Sequence, residues 1–300
     1  MGEEKFLTKL KPLKNKGEFD RNLDVLIALL PAAIAGCIYF SGHAMFMILS
    51  CMAAAVIGAF LAGKLLAIEE DPRDLSAAVC GMLVAMTMPS GFSIPAAAVC
   101  AAAGVIVPRM MFGGAGCEIV SPAAFGAIMA FLCFPNLFYY NEAFTNLYTN
   151  YIPFSADLTL KQLLFGAHAG AIGETPAVFL CVGAVYLIIR RIITPIVPLC
   201  AVGFTALWSL VFGMDILPAI LGGGVLLAAI FMLSERSLCP HGVMGKIVYS
   251  AVFAFLTVVI RKYAAVDEGV YFAVLTVQLV RPLFDAIPDM KRRIKTDEQA

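Results

Sequence analysis

An all-α polytopic membrane protein of about ten transmembrane helices, arranged as two inverted repeats, is the fold this sequence predicts. Three observations carry that expectation. The 300 residues are 61% hydrophobic and 14% charged, with mean hydropathy +0.90, whereas a soluble domain is about half apolar and a quarter charged. The apolar residues fall into long uncharged runs, and about 20 such residues cross a bilayer as a helix. Lys and Arg are shared unevenly between the segments joining those runs, which sets topology.

The runs lie at 23–41, 44–66, 75–89, 94–107, 120–139, 175–189, 192–213, 216–233, 247–260 and 269–284. The third, fourth and sixth are short, as discontinuous helices are. With the N-terminus inside, 18 of the 21 Lys and Arg fall on inner segments and only Lys161, Arg261 and Lys262 on outer ones. Both termini are therefore expected to be cytoplasmic. The organisation that follows is a basic segment 1–22, one membrane domain 23–285 with halves 23–140 and 174–285, an external loop 137–173, and a basic tail 286–300. Ile34-Ala35-Gly36-Cys37 has the look of a lipoprotein cleavage box. The acidic residues before it and the nine runs after it favour an uncleaved first helix instead.

Two polar, glycine-rich stretches interrupt the oily chain. One is FGGAGCEIVSPAAFG at 112–126, and the other is GAIGET at 170–175. Backbone that leaves the helix at membrane depth must be buried in protein or line a cavity, and glycine lets it approach a ligand closely. Gly113, Gly114 and Ser121 in the first stretch, and Gly170, Gly173, Glu174 and Thr175 in the second, are the candidate binding residues. A helix starting at Glu174-Thr175 would offer its positive dipole end to an anion. The same small residues also permit tight helix crossing, and an acid at a helix start stabilises the helix by itself.

The text from Ser76 resembles the text from Thr175: helix, proline-marked turn, helix, glycines, then a polar break before proline. The breaks are Glu118 to Pro122 and Ser234 to Pro240. Five helices per half would invert one half relative to the other, an arrangement common in transporters and channels. Nine cysteines occur without a CxxC, so neither a disulfide framework nor a metal site is expected. Arg109, Arg190 and Arg191 read as anchors in the headgroup region. His168 reads as a loop residue, and Tyr139, Tyr140, Tyr148 and Tyr151 as an interfacial band. No ionisable residue falls in the middle of a predicted span. No GxGxxG or P-loop is present, so nucleotide chemistry is excluded from this chain. Nothing points to nucleic acid.

The collinear motifs DLSAAVCGMLVAMTMP, RMMFGGAGCEIVSPAAFG, FLCFP, GAIGETPAVFLCVGAVYLIIRRIITPIVP and EGVYFAVLTVQLVRPLFD resemble one family. It is that of the D subunit of Rnf ion-translocating electron-transport complexes, with the homologous B subunit of the sodium-pumping NADH:quinone reductase. The resemblance implies a fold similar to urea and ammonium channels, partner subunits of an Rnf-type complex in a bacterial cytoplasmic membrane, and a flavin. That flavin would be FMN joined through its phosphate to a threonine of an S-G-A-T-like motif, with riboflavin as the alternative. This chain has no such motif. Its nearest text is Ser155-Ala156-Asp157-Leu158-Thr159, which makes Thr159 the candidate attachment residue, although Thr159 also suits a cap on the following LKQLL. The family pattern has asparagines where Glu118 and Ser121 stand, and a Thr-Asp-Pro-like loop where Ser234-Glu235-Arg236 stands. The expected function is electron transfer coupled to ion transport. The alternatives are a small-solute channel of the same fold and a structural subunit without flavin.

Overall fold

The computed structural model describes residues 17–68, 74–137, 164–165, 170–174, 177–264 and 269–286. Thr159, Thr175 and His168 lie outside them, as do the four tyrosines of the predicted band.

Helix α1 (Glu18–Leu66) is one unbroken run of 49 residues, which would be about 73 Å long if straight. It is not straight. The Asn22 amide near its start donates to Asp74 Oδ1 at 2.7 Å. The eight residues from Leu66 to Asp74 reach at most about 29 Å, while Asn22 and Leu66 would stand about 66 Å apart on a straight helix. α1 therefore folds back on itself. Its two apolar spans, Phe19–Phe40 and Gly42–Leu66, are the first two predicted helices, running in opposite directions.

The remaining elements follow the apolar runs closely: α2 (Ser76–Met86), α3 (Ile94–Ile106), α4 (Pro122–Cys133), α5 (Ala177–Ile189) and α6 (Ile196–Val211). The run 216–233, expected as one helix, is broken. α7 (Ile216–Leu221) stops before three glycines, and α8 begins at Val225–Leu227 and continues as a π-helical turn, Ala228–Met232. Gly223 and Gly224 have φ of +61° and +70°, a region that glycine enters without penalty. α9 (Val243–Ala264) and α10 (Gly269–Leu279) complete the bundle. α1 packs on α2, α3 and α5, and α9 packs on α6 and α10. Among the described residues, four segments are long and apolar enough to cross a membrane: the two halves of α1, Ile94–Phe112 and Val243–Ala264.

The helices pack closely where glycines face backbone. A Cβ on Gly183 of α5 would collide with the Ala28 carbonyl oxygen of α1, whereas one on Gly203 of α6 meets nothing within 4 Å. Gly183→Val is expected to lower stability by about 1–3 kcal/mol through overpacking, and Gly203→Val by none. Thermal unfolding of the two variants in detergent checks this, and equal melting temperatures would refute it.

One end of the bundle gathers most of the described basic residues. Arg109 pairs with Asp74 there and Arg190 with Asp24, Lys246 donates to Thr194, and Arg281 donates to the Ser237 carbonyl. Arg261 and Lys262 reach carbonyls at the other end. This segregation agrees with the division of charges expected from the sequence.

One expectation is corrected. The tail of the predicted external loop is inside the protein: Ile172 N–H donates to the Met88 carbonyl at 3.1 Å and Gly173 N–H to the Met86 carbonyl at 2.9 Å. Extended backbone thus satisfies its polar groups against the frayed end of α2. The polar breaks at Glu118 and Ser234 line one shared cavity.

Candidate functional site

The cavity, about 360 Å³ in volume, opens among the start of α1, the starts of α2 and α4, the end of α5 and the end of α8. That volume lies within the range of about 300–1,000 Å³ usual for small-molecule sites. Its walls are aliphatic and aromatic: Val25, Val79, Leu83, Leu187, Ile230 and Phe231. Its polar groups include Asn22, Ser76, Ser121 and Ser234, with Arg21, Arg109, Arg236, Asp74, Glu118 and Glu235.

Each polar group arrives by a local rule of folding. Asp74 stands just before α2 and accepts from the Ser76 N–H at 3.0 Å and the Ser76 hydroxyl at 2.5 Å. It therefore satisfies one of the orphan donors of that helix. Asp74 also accepts from Asn22 and from Arg109 Nη2 at 3.0 Å, while Arg109 Nη1 donates to Ser76 Oγ. Arg109 is only 2% exposed. It is thus not the headgroup anchor that its place at a helix end suggests, because Asp74 supplies the charge that lets it stay buried. Burial by itself would raise the Asp74 carboxyl; the Ser76 hydrogen bonds, the Arg109 guanidinium and the Asn22 amide outweigh it and hold the group below its ordinary value. Arg190 is the anchor expected of it only in part: half-exposed, it also donates to buried Asp24, at 2.9 Å.

The loop before α4 turns on Gly113, Gly114 and Gly116, with φ of +117°, +94° and +85°. It delivers Glu118 and Ser121 to the cavity, and Pro122 starts α4 with no N–H to leave orphaned. Ser121 is 1% exposed, and its N–H donates to Gln278 Oε1 of α10 at 2.6 Å. The same Gln278 amide donates to the Met232 carbonyl at 3.0 Å, so one side chain ties α4 to the end of α8. The π turn there leaves Ser234 Oγ to donate to the Ala229 carbonyl at 2.8 Å, and such turns concentrate at functional sites. Beyond it, Glu235 is pushed up to about 8, first by burial and then by the Glu118 carboxylate, with Arg109 and a Ser121 hydrogen bond opposing.

The predicted binding residues divide between two places. Ser121 lines the cavity, and Gly113 and Gly114 shape the loop that carries it. Gly170, Gly173 and Glu174 do not line it; they belong to the buried segment that Ile172 and Gly173 bind to the carbonyls of Met88 and Met86. A Cβ on Gly173 would collide with Met86, and Met86 lies three residues along α2 from cavity-lining Leu83. Glu174 is 6% exposed, so an ionisable group does lie deep in the bundle. It closes its own turn by accepting from the Ala171 N–H at 3.3 Å. Asn22, Asp74 and Ser76 were not anticipated. Their signal was the Asp-Leu-Ser cap before an apolar run. Among the described residues, no group of three His, Cys, Asp or Glu is placed to hold a metal ion.

Residues 15–293 match the family model described as NQR2, RnfD, RnfE. The chain belongs to this family. The match covers nearly the whole chain and confirms the resemblance carried by the motifs. The D subunit of the Na(+)-translocating ferredoxin:NAD(+) oxidoreductase complex of Acetobacterium woodii is 30% identical over 283 residues, covering 87% of this chain and 86% of that one. The D subunit of the proton-translocating ferredoxin:NAD(+) oxidoreductase complex of Clostridium ljungdahlii is 24% identical over 288 residues, covering 87% of each. The B subunit of the Na(+)-translocating NADH-quinone reductase of Chromohalobacter salexigens is 24% identical over 247 residues, covering 73% of this chain and 60% of that one. Identities of this order mark a divergent member of the family.

Proposed function

We propose that this protein is the D-type membrane subunit of an Rnf-type ion-translocating oxidoreductase, holding flavin and passing electrons between partner subunits in step with ion transport. Family membership supports the assignment to such a complex. The Acetobacterium and Clostridium relatives belong to complexes named for different ions, so the family leaves the ion open. In the bilayer the chain would form two inverted halves of five passes, with the arginine-rich end and both termini on the cytoplasmic side of a bacterial inner membrane. The positive-inside rule supports that orientation.

The cavity is the observation that carries the flavin reading. Its apolar walls suit the faces of a flat three-ring system, and its polar groups suit the ring edge. A flavin supplies one- and two-electron redox chemistry, and the protein supplies position and electrostatics. Asp74 and Glu118 bring negative charge to the cavity and Arg21 and Arg236 positive charge, with Arg109 already committed to Asp74. The walls suit the ring system of either riboflavin or FMN. An FMN esterified to Thr159 would be a separate group, carried by a residue outside those described.

Intact mass of the denatured protein, with flavin fluorescence of the released fraction, tests this. A mass increase of FMN minus water marks covalent FMN, and free riboflavin in the supernatant marks the cavity. Leu83→Trp fills the cavity and is expected to reduce released flavin at least tenfold, about 1.4 kcal/mol of binding, while leaving covalent FMN in place. Neither flavin in either fraction would refute the reading and leave a structural subunit.

A further inference from the structure

The broken helix at the far end of the bundle carries a second arrangement. α7 ends at Leu221, and helix termination leaves its last carbonyls without N–H partners. One side chain from α9 collects them. Arg261 Nη1 donates to the Ala219 carbonyl at 2.8 Å, and Nη2 donates to the carbonyls of Gly222 at 3.0 Å and Gly223 at 2.5 Å. A Cβ on Gly223 would collide with the guanidinium, so the glycine there makes room for the arginine. The planar fork of donors is what allows one cation to serve three acceptors.

Just past this cradle α8 begins, with the Ala228 N–H donating to the Gly224 carbonyl at 2.8 Å. The nine residues 225–233 run about 13 Å from the cradle to the cavity, where Ile230, Phe231, Ser234 and Glu235 form wall and rim. Gln278 ties down the cavity end of this short helix. Arg261 ties down the other.

We propose that Arg261 is the positioning residue of the cavity: a tethered guanidinium seated in a carbonyl cradle, which fixes where α8 starts and thereby where the cavity wall stands. The cradle is selective for the shape of the ion as well as its charge. With the side chain removed, it accepts free guanidinium.

The test uses Arg261→Ala in the full-length protein, read by hydrogen–deuterium exchange of the amides of 225–233. Exchange is expected to rise about tenfold as the segment loosens. Guanidinium chloride at low millimolar concentration returns it to near the wild-type rate, and sodium chloride at equal ionic strength does not. Arg261→Lys restores only part of the protection, because an ammonium is a point charge. Lys262→Ala, on the neighbouring exposed side chain, leaves exchange unchanged. Unchanged exchange in Arg261→Ala, or equal rescue by sodium chloride, overturns the proposal. If Arg261→Ala does not fold, Arg261→Lys carries the same comparison with and without guanidinium. Flavin retained on purification is a second readout, and it rests on the proposed flavin-holding function. A wild-type protein without flavin would sink that function and leave the exchange result standing.

Discussion

Arg109→Ala is expected to lower the stability of the folded protein by about 3–5 kcal/mol, because it strands a buried carboxylate. Arg109 is 2% exposed and its partner Asp74 10%, so little solvent compensates either one when the other is removed. Asp74→Ala should cost a comparable amount, since it strands the guanidinium and also uncaps α2. The double variant Asp74→Ala/Arg109→Ala should cost clearly less than the two single losses added together, because no unpaired charge remains. Thermal or denaturant unfolding in detergent measures all three. Strict additivity would mean that the pair contributes nothing as a pair. Acid gives an independent reading. The Asp74 carboxyl is held below its ordinary value, so its contribution is complete above that value and is lost as pH falls through the lowered one.

Glu235 predicts the opposite pH dependence. Its carboxyl is pushed up to about 8, so between the ordinary carboxylate value and about 8 the folded protein holds a proton that the unfolded chain has released. Stability from this group is full below that window, declines as pH rises through it, and is gone above it. The slope is at most about 1.4 kcal/mol per pH unit, and less here because the side chain is partly open to the cavity. Glu235→Gln should flatten the slope between about pH 5 and 8. Glu118→Gln should narrow the window from above, since it removes the neighbouring like charge. Unfolding measured across that range decides the matter: an unchanged slope in Glu235→Gln would assign the dependence to another group.

The helices were legible because their signal is local. Apolar runs bounded by Gly, Pro and charge placed most of the ten elements within a few residues. The break in 216–233 was less so, since three glycines among apolar residues are compatible with a continuous span. Sequence periodicity carries no record of Arg261 reaching back to those carbonyls. The cavity was half legible. Its two polar breaks stood out as interruptions, and Glu118, Ser121 and Glu235 were on them. Their meeting in one cavity depends on pairs such as Ser121 with Gln278, 157 residues apart. Arg109 was illegible for a related reason. A lone arginine at a helix end looks like a headgroup anchor until the fold brings an aspartate to it. The described part of the GAIGET motif forms a packed seam rather than the cavity lining.

The pairing of Asp24 with Arg190 joins residues 166 apart in the chain. A ribosome adding about 5–20 residues per second makes the second partner roughly 10–30 seconds after the first. Throughout that interval Asp24 waits for its Arg190 contact. The knot of Asn22, Asp74 and Arg109 closes earlier, once α3 is complete. Assembly of the first half therefore precedes the Asp24–Arg190 contact. A nascent chain paused between these two points would hold an assembled first half whose bond to α5 is still to be made.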